Sequence, residues 1–424
     1  MSEHPLKREE SQVEQDMEQS LARAAGQPKT APSVGGLASM FGEAMKPAEK
    51  QITQVSDAFT YTTPFKLSFI GAGQGGGRIA QAFYRLGYRR VCAYNLTSAD
   101  FKDLEPSILK YSPDVGGAAR DVTKAETVLK SHEDDVRSLI ARAWGTDTEL
   151  AMVCASLGGG TGSGSIDGIV KIVRDYMTSC GKQAKCGAIV SLPEIGEGPQ
   201  PCYNTVRAIG RLTDMGVAPI IILDNEKINR KYKPGVREFY PKANGMVADS
   251  LNVFLQLCNS DNAVNQFDTT ELWCVLNSGI VVMGAAKVGG PTDIRSASDV
   301  PDAIRQALTD NLLSDIELKE ASHGAVLFVG NEQVLDMASE YFDAGKDFLQ
   351  RSVMAENGVL FKGVFLDPEC KELVAFFIVG GVKPPKAKMA ELVSQAELAK
   401  RMGIVDKPSG SETMTKSQFF GLGN

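Results

Sequence analysis

The spacing of apolar residues changes period several times along this chain, and each change marks an element. Leu6, Val13, Met17 and Leu21 make a thin helical stripe among charges, and a Gly/Pro/Ala-rich stretch follows over 26–50. Residues 1–60 are therefore expected to be a mobile extension. Residues 65–70 alternate as a strand does and run into the glycine-rich segment 71–77, after which Ile79, Phe83 and Leu86 fall on one helical face. Residues 91–95 read as the next strand. The apolar run 150–154 meets a second glycine cluster, and Ile166, Ile169, Val170, Val173 and Met177 then recur at helical spacing. Strand, glycines, helix is thus used twice. With 186–192 and 219–223 as further β-branched runs, the pattern predicts a largely parallel sheet in an α/β layer fold.

Beyond residue 240 the pattern differs. A helix over 243–258 would carry Met246, Val247, Leu251, Val253, Phe254, Leu255 and Leu257, apolar nearly all round, and so would be buried. Strands are expected at 279–283, 325–329, 360–366 and 373–379, with a helix carrying Ile304, Leu308 and Leu312. The turn Asp367-Pro368-Glu369 suits a hairpin between the last two strands. A helix over 389–402 and a Pro/Ser/Gly/Thr linker lead to an ending with Phe419, Phe420 and Leu422. The expected divisions are 1–60, 61–240, 241–262, 263–383 and 384–424.

Composition narrows the function. The chain has 424 residues, 43% hydrophobic and 23% charged, enough apolar material for two or three cores. No segment approaches the roughly 18 consecutive apolar residues of a membrane span, and Met1-Ser2-Glu3-His4 lacks a signal peptide's apolar segment, so a cytoplasmic protein is expected. The eight cysteines have no CxxC spacing and the three histidines lie far apart, which disfavours a zinc site, a disulfide framework or His-based chemistry. No dedicated metal ligands are expected. A net charge of −7 disfavours general affinity for nucleic acid.

The candidate chemistry lies in the glycines. Gly158-Gly159-Gly160-Thr161-Gly162-Ser163-Gly164 holds five glycines in seven positions, a chance event on the order of 10⁻⁵ at ordinary usage. Glycines let several backbone N–H groups converge, and a helix beginning there adds its positive dipole end, so phosphate oxygens are cradled. Thr161 and Ser163 offer hydroxyl donors. A Cβ at Gly160 or Gly162 is expected to occupy the space those oxygens need. The plain alternative is a flexible surface loop. Gly71-Ala72-Gly73-Gln74-Gly75-Gly76-Gly77 satisfies GxGxxG, which alone would suggest a dinucleotide fold. That fold wants an acidic residue at the end of the second strand, where Asn95 stands here, and it leaves the second glycine cluster unexplained. Neither segment continues into the Gly-Lys-Ser/Thr of a Walker loop.

These two segments resemble the tubulin/FtsZ superfamily: 158–164 is similar to its signature loop, and the GxGQxGxxI pattern at 71–79 to its first phosphate loop. The likeness covers about 65–381 and looks closer to FtsZ and the plasmid and phage tubulins than to eukaryotic tubulin. It implies a Rossmann-like parallel-sheet GTP-binding domain, a central buried helix and a second α+β activation domain. It also implies a nucleotide site made by Gly73, Gln74, Gly75, Gly76, Asn95, Gly117, Ala118, Gly158, Gly159, Gly160, Thr161, Gly162, Ser163, Pro193, Glu197, Asn225 and Asn244. Glu197 would bind ribose and Asn244 would face guanine, with GTP or GDP and Mg²⁺ as cofactors. An arginine of FtsZ is Pro201 here, and the aspartate that follows the helix asparagine there is Gly245.

Asn265-Gln266-Phe267-Asp268-Thr269-Thr270-Glu271 is similar to the family's synergy loop, which projects into the next subunit's nucleotide pocket. Asp268 and Glu271 would then polarise a water for attack on the γ-phosphate. On its own, a D-x-x-E pair is also a helix cap. The resulting expectation is a GTPase that polymerises head to tail with copies of itself. Two alternatives remain, a nucleotide-binding scaffold with little hydrolysis and, more remotely, an NAD-dependent oxidoreductase. The aromatic tail end would be a docking peptide for a neighbouring subunit or an adaptor protein, or else an incidental end. With six basic and four acidic residues over 384–424, it is not an acidic tail.

Overall fold

The structure, a computed structural model, describes residues 63–232, 236–309, 311 and 319–405. The expectations for 1–60, for Leu312 and for the tail beyond 405 lie outside the described residues. The first half alternates strands and helices: β1 (Leu67–Ala72), α1 (Gly73–Arg85), β2 (Val91–Tyr94), β3 (Leu109–Tyr111), α2 (Val122–Ser131), α3 (Glu133–Trp144), β4 (Leu150–Ser156), α4 (Gly160–Ser179), β5 (Cys186–Leu192), α5 (Pro199–Asp214), β6 (Ile220–Asp224) and α6 (Asn225–Tyr232). The strands stand in the order β3-β2-β1-β4-β5-β6, all parallel.

Both faces of this sheet are covered, which is why its strands are continuous apolar runs. Successive residues of β4 show it. Ala151, Val153 and Ala155 join the core under α2 to α5, while Leu150, Met152 and Cys154 join the core under Ile79 and Phe83 of α1. The long helix α7 (Val236–Cys258) lies in that second core through Val247, Leu251, Phe254 and Leu255, all buried as the all-round apolar pattern requires.

The chain continues through β7 (Ala263–Asn265), α8 (Thr269–Leu276), β8 (Ile280–Gly289), α9 (Asp299–Thr309), β9 (Ala321–Gly330), α10 (Glu332–Ala338), α11 (Phe342–Ser352), β10 (Met354–Leu366), β11 (Leu373–Val382) and α12 (Lys386–Arg401). β8 pairs parallel with β6 at Ile220↔Ile280 and Ile221↔Val281, so one eleven-stranded sheet runs on as β8-β11-β9-β10-β7. This second part is mixed. β11 is antiparallel to both β8 and β9, whereas β9 and β10 are parallel.

The expected hairpin between the last two strands does not form, because β9 lies between them. The intervening link is fastened to the end of β9 instead: Asp367 N donates to Gly330 O at 2.9 Å, and Asn331 N donates to Cys370 O at 2.7 Å. Among the described residues no helix is long and apolar enough to cross a membrane.

Candidate nucleotide site

The glycine segments prove to be helix starts. α1 begins at Gly73 and α4 at Gly160, each directly after the C-terminal end of a parallel strand or a few residues beyond it. Their caps, Ala72 and Gly159, offer no side-chain hydrogen bond, and neither first turn holds an acidic residue. By contrast α2 is closed at this end by Asp121 and α10 by Asn331, while α3, α5, α11 and α12 also lack a side-chain cap. The two open ends touch. Gly73 has a φ of +71°, a value costly for a side chain, and a Cβ there would lie 3.1 Å from Gly162 N and 3.4 Å from Thr161 Cβ. Two sets of unpaired N–H groups and two positive helix ends therefore converge, which favours a polyanion.

The packing corrects the reason given above for two of the glycines. A Cβ on Gly162 would meet Ser156 O at 2.5 Å, and one on Gly160 would meet Ala118 Cβ at 2.7 Å and Arg120 C at 2.9 Å. Both glycines serve close contact within the protein rather than an open phosphate space. Gly76 likewise sits on the Cys154 carbonyl, Gly75 on Ser156 and Gly158 on Pro193. The exposed positions are Gln74, Gly117 and Gly159. A Cβ on Gly159 would have only Ser156 O nearby, at 3.9 Å, and Gly117 has nothing within 4 Å. Thr161 stays half-buried at the turn. Ser163 is no free donor, since it is buried and its hydroxyl donates to Leu157 O.

The segment before α2 closes over these turns. Asp114, Gly116, Ala119 and Arg120 all have positive φ, and Ala118 is buried against Gly160. Lys124 Nζ donates to Gly117 O at 3.0 Å, and Asn204 Nδ2 donates to both Arg120 O at 3.0 Å and Gly159 O at 3.4 Å. From this segment the Arg120 side chain reaches Glu197, with NH1 donating to its backbone carbonyl at 3.3 Å and NH2 3.8 Å from its carboxylate. Glu197 is exposed, and its other oxygen accepts from Glu194 N at 3.1 Å. A guanidinium thus stands beside the expected ribose ligand even though Pro201 replaces the arginine of FtsZ.

Asn95 is buried within its own turn, donating to Asp100 at 2.9 Å and accepting from Leu96 N at 2.8 Å, so one amide N–H and one lone pair remain. Asn225 opens α6 and is half-buried. Beside it Asp224 caps α6, accepting from Glu226 N at 3.0 Å, and the buried Lys388 of α12 bonds Glu226 at 2.5 Å and stands 3.6 Å from Asp224. Burial holds the Asp224 carboxyl above its usual range, while the Lys388 ammonium holds Glu226 below it. Glu226 also accepts from Ile195 N at 3.5 Å, which ties α12 to the turn carrying Glu197.

Asn244 lines a cavity of about 660 Å³ between α1 and α7. Its walls include Arg78, Gln81 and Arg85 of α1, Asp103, and Tyr240, Gly245 and Asp249 of α7. Tyr240 is 43% exposed and carries Arg78 over its ring at 5.2 Å, an aromatic face open to a flat partner. Sequence reading passed over Arg78, Arg120, Tyr240 and Asp249. For Tyr240 the signal was there, since it precedes Asn244 by four positions and so shares its helix face.

Asp268 and Glu271 are not at these turns. Asp268 is exposed and caps α8, accepting from Glu271 N at 2.8 Å, while Glu271 accepts from Asp268 N at 3.0 Å. They form a reciprocal capping box, the plain reading of the pair. Trp273 of α8 packs against Phe65, just before β1, at 5.9 Å between ring centroids, and Lys185, just before β5, lies 4.0 Å over its ring. α8 therefore stands at the N-terminal ends of the parallel strands, and the glycine turns stand at their C-terminal ends. β1 alone has six residues, a separation of about 20 Å.

Residues 66–233 match the Tubulin/FtsZ family, GTPase domain. The cell division protein FtsZ of Porphyromonas gingivalis is 24% identical over 278 residues, covering 62% of this chain and 56% of its own length. The tubulin-like protein CetZ of Thermococcus kodakarensis is 23% identical over 363 residues, covering 83% of this chain and 91% of its own. Among solved structures, a GTPγS-form protofilament of Bacillus thuringiensis serovar israelensis TubZ superposes with a TM-score of 0.65 at 18% identity, covering 81% of this chain and 94% of that one. The GTPγS-bound protofilament of a Haloferax volcanii CetZ gives 0.64 at 20% identity, covering 80% and 99%. The fold is thus the tubulin/FtsZ fold, and the segment 66–233 is similar to that family's GTPase domain.

Proposed function

We propose that this protein binds GTP across the two glycine turns and polymerises head to tail, so that hydrolysis is completed by Asp268 and Glu271 of the next subunit. The observation that carries this reading is the placement of the capping-box carboxylates and the open helix ends at opposite ends of one sheet. Subunits stacked along the strand direction would bring one end onto the other. The protofilament form of the TubZ and CetZ neighbours supports that stacking.

In this reading the phosphates lie on the N-termini of α1 and α4, near Gln74, Gly117, Gly159 and Thr161, and the base enters the cavity beside Tyr240 and Asn244. Mg²⁺ would come with the nucleotide and supply charge neutralisation for its phosphates, with no side chain of this protein assigned to hold it. The protein's part is to hold the phosphates by backbone N–H groups, exclude bulk water and orient the attacking water by a carboxylate. The divisions at 61–240, 241–262 and 263–383 would then be a GTP-binding domain, a central helix and an activation domain, with the helix α7 itself running over Val236–Cys258.

A scaffold with slow turnover is favoured by one observation: one oxygen of Asp268 and one of Glu271 already accept backbone N–H groups. Electron microscopy of the protein with GTP, GDP and a slowly hydrolysed analogue separates the readings. The GTPase reading expects filaments with GTP and the analogue that disassemble only with GTP. Filaments equally persistent with GTP and the analogue would support the scaffold, and no filaments with any nucleotide would refute both.

A further inference from the structure

We infer that helix α12 sets the sugar-binding turn of this site, its buried Lys388 fixing, through α6, where the carboxylate of Glu197 stands. The inference rests on the nucleotide reading above and adds a positioning residue to it. The place of Glu197 comes first. Its turn, Ile195–Glu197, adjoins the glycine turns, since Gly158 packs on Pro193 and Arg120 spans from the segment over Gly160 to Glu197. A carboxylate accepts hydrogen bonds only, so beside bound phosphates it suits the hydroxyls of the attached sugar and not the phosphates themselves.

Little within the turn holds it in place. Gly196 and Gly198 flank Glu197, a Cβ on either would meet nothing within 4 Å, and Gly198 has a φ of +103°. Two residues of α6 fasten the turn instead. Asn229 Nδ2 donates to Glu194 Oε1 at 2.9 Å, and Glu226 Oε2, three positions earlier on the same helix face, accepts from Ile195 N at 3.5 Å. Glu194 N in turn donates to Glu197 Oε1 at 3.1 Å. The Glu226 oxygen that meets the turn is the one that Lys388 Nζ bonds at 2.5 Å, and the same ammonium stands 3.6 Å from Asp224, the cap of α6. Lys388 is 6% exposed. The packing of α12 does not need it: Met389, Leu392 and Ala396 are buried along the same helix, and an apolar side chain would avoid the cost of a desolvated ammonium. What the ammonium supplies is a fixed charge that holds the start of α6, and with it both ties to the turn.

The test measures Kd for GTP and for 2′,3′-dideoxy-GTP, which lacks both sugar hydroxyls, by nucleotide displacement with dilute protein and with its Lys388→Met, Glu226→Gln and Glu197→Ala variants. The unmodified protein is expected to prefer GTP by about tenfold or more, as suits hydrogen bonds to a charged group. Lys388→Met and Glu226→Gln should each lower that preference to about threefold or less by weakening GTP alone, with dideoxy-GTP bound as before. Glu197→Ala added to Lys388→Met should take away no more than Glu197→Ala alone, because both act on one contact. Glu226 is half-buried and glutamine equals it in size, so Glu226→Gln decides the matter if Lys388→Met does not fold. An unchanged preference in the folded variants, or an equal loss of both nucleotides, overturns the role of Lys388 while leaving the nucleotide site in place. GTP and dideoxy-GTP bound equally by the unmodified protein overturns it as well, since Glu197 would then not meet the sugar. Failure of the unmodified protein to bind either overturns the nucleotide reading itself.

Discussion

Replacing Asp249 by Asn should make the nucleotide-free protein more stable. The folded carboxyl titrates at about 6 because burial penalises its charged form, against 3.8 for the free group. The folded state therefore binds a proton more tightly than the unfolded one, so stability falls as pH rises through about 4 to 6 and the full cost is present at pH 7.5. About two pH units at 1.36 kcal/mol each set an upper bound of roughly 3 kcal/mol. Asp249 keeps some solvent contact, so a working value is about 1–2 kcal/mol. Thermal melts of both proteins without nucleotide, at pH 5 and pH 7.5, check this. The variant should melt roughly 2–4 °C higher at pH 7.5, and the difference should shrink at pH 5. A variant less stable than the parent at pH 7.5, or a difference that does not change with pH, would refute the account of a costly, unpartnered carboxylate.

Gly159→Glu has room for its side chain but sets a negative charge before the open N–H groups; it should fold, melt like the parent and lose roughly 10²-fold or more in GTP affinity, measured by titration. Gly162→Val must displace Ser156, so it should lose stability in urea together with binding. Asp268→Ala and Glu271→Ala should leave monomer GTP affinity nearly unchanged and slow turnover by roughly 10²-fold, with Asp268→Asn as the control that keeps the helix cap. Lys388→Met leaves two carboxylates beside an unfilled charge; it should cost about 3–5 kcal/mol in urea melts and free α12 for proteolysis.

Much of the parallel half was legible because its longer strands are apolar and the two glycine clusters at 71–77 and 158–164 stand at strand ends. β3 was not, since Leu109 is exposed and the strand has only three residues. The false hairpin shows the limit of local signals. Asp367-Pro368-Glu369 does turn the chain, but which strand lies beside β11 is decided by β9, more than forty residues away. In the site, the abundance of glycine was informative and the reason for each glycine was not, because a close approach such as Gly160 to Ala118 is a contact between distant segments. Asp249 was invisible for the same cause. One aspartate in an apolar helix is desolvated only by the packing of α7 against α1, which local sequence does not show.

The central claim is that neighbouring subunits share each active site, and the dependence of GTPase rate on protein concentration tests it most directly. Phosphate release per subunit, measured together with the amount of sedimentable polymer, should be near zero below a threshold concentration and rise in step with polymer above it. A rate per subunit that stays constant across that range, with turnover in protein that does not sediment, would contradict the account.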